Sequence, residues 1–592
     1  MSEKSSMNTL RKEIEEAILA GYHASGFDID DPQVVPSKIP AVAQFQSNAC
    51  FALAKKLGQK PLDIAQAVAQ ALDNSPILGE VQAAEPGFIN IIVDDCYLAK
   101  MIATASVKQV CDEDLKESVV IDYGGPNVAK PLHVGHVRPA LIGEAIKRIG
   151  RALGHQVVSD VHLGDWGLQM GMVINELQTR HPDWVYFDSS VSGPYPEESP
   201  LTIEDLESLY PEASQRAKAH ESVMSEARRA TVELQNGRPG YRALWQHFIH
   251  ISVADVKQVY DRLGVDFDLW LGESDAHDVL VQQIDHLISS GWAHESDGAL
   301  IIDVAEEGDT KEMPPLLLRN SDGAVLYGGT DLATIKQRVG TYHPDAIIVV
   351  ADKRQSLHFQ QVFRAALKVG YVSDVEKLEH VGFGTVNGPD NKPFKTRDGG
   401  TMKLDDFLSM VIANAKERIA EVQQGTKFSD EERESIAQMV GLATIKFADL
   451  VTHHTKDYVF DLERFSSFEG YTGPYVLYSA VRAKAILAKG ESEGSVPGQA
   501  GAPQVDEERA LAIKLLEYPD VLQASWKERT PSILCDYTYE LANAFSSFYH
   551  ACPILNDEDE GRRSGRLLLV SKVHDTLVAS LYLLGMEVPE RM

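Results

Sequence analysis

Cysteine, basic charge and long apolar runs are all scarce in this 592-residue sequence, and each shortage narrows what the chain can be. The cysteines are five: Cys50, Cys96, Cys111, Cys535 and Cys552. They form neither an even framework nor a CxxC pair, so neither a disulfide scaffold nor a structural zinc is indicated, and a reduced cytoplasm fits best. No stretch reaches the roughly 18 apolar residues of a membrane span. The opening residues, MSEKSSMNTLRKEIEEAI, contain no apolar signal core and read as an amphipathic helix, so a soluble protein without a membrane partner is expected. Lys and Arg number 56 against 87 Asp and Glu, a formal net charge of −31. Taken alone, that balance argues against nucleic acid, whose phosphates select a basic footprint. Any RNA surface must be a local basic stripe on an acidic body.

What is present is ordinary globular material, 44% apolar, in a chain long enough for about three or four domains. Residues 1 to about 110 mix helical stretches (10–22, 41–57, 61–72) with a short strand at 87–93, the mark of an α+β module. From Ser118 onward strands and helices alternate: strands at 118–123, 157–161, 346–350 and near 380–385, helices at 135–153 and 357–369. Such alternation predicts a Rossmann-like parallel sheet whose ligands sit at the strand C-terminal ends. Between about 180 and 245 the chain turns charged and rich in Pro and Ser (SSVSGPYPEESPLTIEDLE), which reads as an insertion forming a solvated surface excursion. After Lys403 the pattern is helical to the end, broken by the loop GESEGSVPGQAGAPQ at 490–504.

The richest segment is Asn127-Val128-Ala129-Lys130-Pro131-Leu132-His133-Val134-Gly135-His136, which follows the first parallel strand and opens a helix. A helix N-terminus favours phosphate, His133 and His136 share one face of its first turn, and Gly135 removes a side chain where a base could approach. By themselves these residues support only a generic nucleotide site.

PLHVGH resembles the HIGH motif of the class I aminoacyl-tRNA synthetases, and NVAKPLHVGHVRPALIG with HLGDWGLQMG (162–171) resembles its arginyl-tRNA synthetase version. The resemblance covers nearly the whole chain. It implies ligation of L-arginine to tRNA(Arg) through an arginyl-adenylate, with ATP consumed, AMP and pyrophosphate released, and tRNA needed even for activation. No protein nucleophile is required, so catalysis rests on positioning and on charge stabilisation at the phosphates. His133 and His136 can donate to phosphate oxygens. The second cation group of such enzymes, the KMSKS loop, corresponds to Lys392–Leu404 (KPFKTRDGGTMKL), which retains Lys395 and Arg397 but lacks the second lysine. The resemblance gives Lys130 the compensating charge.

The same resemblance assigns Asp122 and Asp331 to the arginine guanidinium with Tyr327 beside them, and Asn127 and Gln355 to the α-amino and α-carboxylate end. Gly135, His358, Gln361 and Phe394 fall to ATP. Gly164-Asp165-Trp166-Gly167 matches a GDWG element expected to pack and turn. On the RNA side, Tyr478 and Arg482 lie four apart on one helix face, an aromatic and a cation suited to a splayed base and its phosphate. Lys484, Lys527, Arg529, Arg562 and Arg563 could extend the basic stripe.

The expected architecture is thus an N-terminal α+β module that reaches the tRNA elbow (1–112), a Rossmann-like α/β catalytic domain with parallel sheet (113–385, insertion about 180–245), the degenerate loop with a connecting helix (386–428) and a C-terminal all-α anticodon-binding domain (429–592). Mg²⁺ is expected only in company with ATP, without a dedicated protein site. The expected setting is a cytoplasmic monomer with no DNA partner. Two other readings stay open on the residues: a related synthetase for another amino acid, which the acidic pocket and the missing zinc spacing disfavour, and a non-catalytic RNA-binding paralogue, which the intact His133, His136 and His358 disfavour.

Overall fold

The computed structural model describes residues 9–39, 42–72, 75–108, 116–374, 377–392, 394, 402–422 and 428–592. The chain forms two compact units: one takes 1–115, 152–154 and 467–592, the other 116–151 and 155–466.

In the first unit a four-stranded antiparallel sheet runs Val34–Pro36, Phe45–Ser47, Phe88–Val93, Leu78–Ala84. Helices Leu10–Ala24, Ala49–Leu57 and Pro61–Ala71 accompany it. A helix expected over 41–57 is therefore a strand followed by a shorter helix. The local composition favours helix, but Phe45 and Ser47 are buried in register with Ile91 and Ile89, and tertiary pairing outweighs local propensity. From Gly473 onward the described residues of the same unit form five more helices, Gly473–Ser492, Asp506–Leu516, Tyr518–Lys527, Ser532–Ala551 and Glu560–Leu583. The loop expected at 490–504 is present, starting after Ser492. Arg509 forks onto Asp95 at 2.9 and 2.8 Å, and Thr9 donates to Asp520 at 2.9 Å, so N-terminal and C-terminal segments are knit together within this unit.

The second unit is built on four parallel strands in the order Leu378–Phe383, Ala346–Asp352, Ser118–Asp122, Gln156–Asp160. Val120, Ile347 and Leu378 bury one face against Val362, Phe363 and Ala366. From Ser118–Asp122 the chain crosses one way to Gln156–Asp160, and from Ala346–Asp352 the other way to Leu378–Phe383. The two central strands thus flank the point where the order reverses, and a crevice must open beyond their C-terminal ends. A three-stranded antiparallel sheet, Ala293–Ser296, Ala299–Ile302 and Leu316–Arg319, is added to this unit.

The insertion is more ordered than its composition suggests. Ile203–Ala219, Glu221–Gln235 and Pro239–Leu263 are helices, the first opened by a Thr202 and Asp205 capping box. Leu206, Leu209, Ala213 and Ala217 recur every three or four residues and are buried, as are Ala227, Ala230 and Leu234. The first two of these helices pack on Leu168–Arg180, where buried Glu176 receives Arg180 and Arg216. The small apolar stripe was masked by the charge around it. Helix Asp430–Leu450, expected to begin the anticodon domain, packs on Leu404–Val422 inside this unit, so the division falls near 466 rather than 428.

Candidate active site

The strand Ser118–Asp122 ends in the turn that carries Lys130, and a 3₁₀ turn, Val134–His136, leads into helix Val137–Ala152. His133 caps this turn. Its Nδ1 accepts the Gly135 N–H at 3.0 Å, while the His133 N–H donates to His136 Nδ1 at 3.0 Å. With both Nδ1 atoms accepting, each neutral ring carries its proton on Nε2 and has one donor left to offer. Burial lowers the pKa of His133, with Lys130 adding to it; burial and then His133 bring His136 down to about 3. A Cβ at Gly135 would sit 2.8 Å from the His133 ring, so the glycine is needed to admit this ring. The stem of the degenerate loop pairs with the turn: the Val134 N–H donates to Met402 O at 3.2 Å and the Leu404 N–H to Leu132 O at 2.9 Å.

A cavity of about 930 Å³ opens beyond the strand ends, and Asp122, Asn127, His133, Gly135, His136, Tyr327, Asp331, Gln355, His358 and Phe394 all line it. Ten of the expected site residues, distant in sequence, therefore converge.

Two details differ from expectation. Asp122 is already engaged: Arg338, buried on the same helix as Asp331, donates from one Nη2 to Asp122 at 2.7 Å and to Asp160 at 2.8 Å. Asp122 and Asp160 stand side by side on neighbouring strands and share the chain's own guanidinium between them. His358, expected at the nucleotide, bonds Asp331 Oδ2 through Nε2 at 2.6 Å and lies 4.6 Å from the Tyr327 ring. Tyr327 itself is 60% exposed, free to cover whatever Asp331 binds.

Other expected residues lie elsewhere. Lys130 does not line the cavity; its ammonium rests 4.6 Å from the centre of the Tyr210 ring. Gln361 donates its amide to Pro314 O at 2.8 Å and Pro315 O at 3.1 Å, outside the cavity, so it holds a loop. Lys395 and Arg397 lie outside the described residues. In the first unit Tyr478 is exposed and the Arg482 guanidinium lies 5.6 Å from its ring and 4.4 Å from that of Tyr549. Lys484 is paired with Glu590, and Arg562 with Asp557, so part of the expected basic stripe is neutralised by acids.

Among the lining residues that the motifs did not assign are His162, Glu273 and Arg338. Arg338 follows Asp331 by two helical turns and could have been found by that spacing. His162 belongs to a quoted motif but was given no chemistry. Glu273 sits in an unremarkable turn, GESD, and only the fold brings it to the cavity. Burial first, then Asp331, raises its pKa to about 7. Two carboxyl groups lining one cavity, with Asp331 pushing Glu273 up, form a receptor for a cation. At the other end, uncharged imidazole donors face a helix start suited to phosphate. Among the described residues no cluster of His, Cys, Asp and Glu could hold a metal ion, and no helix is long and apolar enough to cross a membrane.

Family models match three stretches: "tRNA synthetases class I (R), catalytic domain" over 99–462, "DALR anticodon binding domain" over 476–592, and "Arginyl tRNA synthetase N terminal domain" over 8–93. An arginine–tRNA ligase of Alkaliphilus oremlandii is 46% identical over 590 residues, covering 99% of this chain and 100% of the relative. One from Francisella tularensis subsp. novicida is 43% identical over 588 residues, 98% and 99% of the two chains. Among solved structures, the arginyl-tRNA synthetase of Thermus thermophilus superposes with a TM-score of 0.78 at 25% identity, over 98% of this chain and 100% of that one. That of Plasmodium falciparum shares the fold, with a TM-score of 0.82 at 24% identity over 99% and 100%.

Proposed function

The chain belongs to the class I arginyl-tRNA synthetases, and on that premise we propose how its cavity divides the work between two small substrates. It ligates L-arginine to its cognate tRNA with ATP as the activating substrate. An α-carboxylate oxygen of arginine attacks the α-phosphorus, the bond to the bridging oxygen breaks and pyrophosphate leaves. A terminal ribose hydroxyl of the tRNA then attacks the acyl carbon of the adenylate and AMP leaves.

In this reading the guanidinium sits between Asp331 and Glu273 rather than on Asp122, because Arg338 already occupies Asp122. Planar charge against two carboxylates repays the desolvation of a buried cation. Tyr327 closes over the side chain, and Asn127 and Gln355 hold the α-amino and α-carboxylate end. His133 and His136 donate through Nε2–H to the phosphates, and Gly135 and Phe394 bound the nucleotide. Lys130 swings from Tyr210 to supply the charge that the incomplete loop lacks, beside Lys395 and Arg397. Mg²⁺ arrives on the phosphate oxygens of ATP. The observation that carries this assignment is the pair of carboxylates, Asp331 and Glu273, lining the same cavity as the two imidazole donors.

Residues 1–112 are assigned to the tRNA elbow and the helices from Gly473 onward, with Tyr478 and Arg482, to the anticodon. The enzyme acts as a cytoplasmic monomer with no DNA partner; sedimentation at twice the 65.2 kDa chain mass would overturn the monomer.

A charging assay over the twenty amino acids, with ATP, Mg²⁺ and tRNA, is expected to favour arginine; preference for another would refute the pocket. Lys130→Ala is expected to lower kcat about 10²-fold, the loss typical of one charge-stabilising group. Turnover near wild type would remove Lys130 from the phosphate site.

A further inference from the structure

The segment His162-Leu163-Gly164-Asp165-Trp166-Gly167 has so far carried no chemistry, yet three of its residues each reach a different member of the arginine site. We propose that this segment is the scaffold of the arginine pocket, with His162 and Asp165 as positioning residues that set where Asp331 and Glu273 meet the guanidinium. The inference rests on the assignment of Asp331, Glu273 and Asn127 to arginine given above.

Gly164 holds Asn127. The two residues form a parallel bridge, the Val128 N–H donates to Gly164 O at 3.0 Å, and the Gly164 N–H donates to Pro126 O at 2.9 Å. A Cβ at Gly164 would stand 2.6 Å from Asn127 Oδ1, so the Asn127 amide rests directly on the backbone there.

Asp165 holds Glu273. Its carboxylate is buried and accepts twice from the next residue in that turn, the Ser274 N–H at 3.0 Å and the Ser274 hydroxyl at 2.5 Å. The backbone joins in: the Glu273 N–H donates to Leu163 O at 3.0 Å, and the Leu163 N–H to Leu271 O at 2.8 Å. The short 3₁₀ turn that carries Glu273 is thereby fastened on both sides of that residue.

His162 holds Asp331. It adopts a left-handed backbone, φ 43°, which turns its ring back toward the sheet. One ring nitrogen stands 3.8 Å from Asp160 and the other 3.9 Å from Asp331, ion-pair range on both sides. Asp160 is anchored by Arg338 and by the Leu271 N–H at 3.2 Å. The opposite oxygen of Asp331 takes His358 at 2.6 Å. Asp331 is thus held between two imidazoles, and the first is tied back to the sheet. Burial opposes charge on His162, but Asp160 and then Asp122 outweigh it and raise the ring to about 9, so an imidazolium faces Asp331. The bulk packing of the segment belongs to a different residue, Trp166, which is 1% exposed and lies under Arg242.

The test uses the full enzyme with tRNA, measuring KM for arginine and for ATP separately, and the inhibition constant of citrulline, a neutral isostere of arginine. His162→Gln and Asp165→Asn are each expected to raise arginine KM about tenfold, the scale at which groups behind a binding shell act, with ATP KM within about twofold. Discrimination against citrulline falls in parallel. Ser274→Ala, a milder change, is expected to reproduce the Asp165→Asn effect, and the double variant to exceed neither by more than about twofold, since both break one contact. Equal rises in both KM values, or none in either, would overturn the scaffold while leaving the pocket in place. Asp331→Asn separates the two ideas: if it leaves arginine KM unchanged, the pocket assignment and the scaffold both fall.

Discussion

At the scale of single residues, the cavity works by setting protonation states apart. His133 and His136 are kept neutral by burial and by hydrogen bonds that leave only Nε2–H free, which suits them to phosphate over the whole physiological range. Glu273 is pushed the other way, to about 7, by burial and by Asp331. The arginine guanidinium stays charged throughout, so in the proposed pocket it would bind the ionised form of Glu273. Below about pH 7 binding must spend free energy removing a proton; above it that cost vanishes. Arginine KM should therefore fall as pH rises from about 6 to about 8, and Glu273→Gln should flatten this dependence while raising KM at the upper end. Steady-state kinetics across that range decide it, and a wild-type KM independent of pH would mean that Glu273 does not meet the substrate. Much at this scale was legible: the HVGH turn, Asp331 and Tyr327 converge as their motifs implied. Asp122, Lys130, Gln361 and His358 are the exceptions, because no pattern in the sequence says that Arg338 reaches Asp122 first or that Tyr210, Pro314 and Asp331 take the other three.

At the scale of elements, the helix that begins after the histidine turn is fixed by buried charge as much as by apolar contact. Arg138 stands 3.0 Å from Asp449 and donates to Lys456 O at 2.7 Å, and the Arg138 and Asp449 side chains are 1% and 0% exposed. This ties Val137–Ala152 to Asp430–Leu450 within one unit. Removing one partner strands a charge out of water, so Asp449→Ala should cost about 3–5 kcal/mol, whereas replacing both by apolar residues of similar volume should restore most of it. Denaturant unfolding of the single and double variants checks this; a single-variant loss below about 1 kcal/mol would show that the pair does not hold the helix. The insertion helices teach a related lesson. Their buried stripe is mostly alanine and leucine set among charges, so composition suggested a solvated excursion where spacing alone would have found Leu206, Leu209, Ala213 and Ala217. The same helix carries Tyr210, on which Lys130 rests.

At the scale of the whole molecule, a net charge of −31 must coexist with an RNA substrate. Lys484 and Arg562, which could have joined a basic stripe, are paired with acids, whereas Arg482 lies between exposed Tyr478 and Tyr549, where the proposed anticodon role would have it meet a phosphate or a base. Arg482→Ala should weaken tRNA binding, reduce the slope of log affinity against log salt by about one, and leave the arginine and ATP constants of activation intact. Filter binding over a salt series tests it; an unchanged slope would show that Arg482 touches no phosphate.

The sequence by itself determined the parallel sheet, the histidine turn at its first crossover, the order of the modules and the family, because each rests on local periodicity or on a contiguous motif. Tertiary structure alone decided which carboxylates line the cavity, that Arg338 engages Asp122, where Lys130 rests, and that Asp430–Leu450 belongs with the catalytic sheet. Those outcomes depend on which charges meet in space, and ion pairs such as Arg338 with Asp122 join residues hundreds of positions apart, where no local pattern reaches.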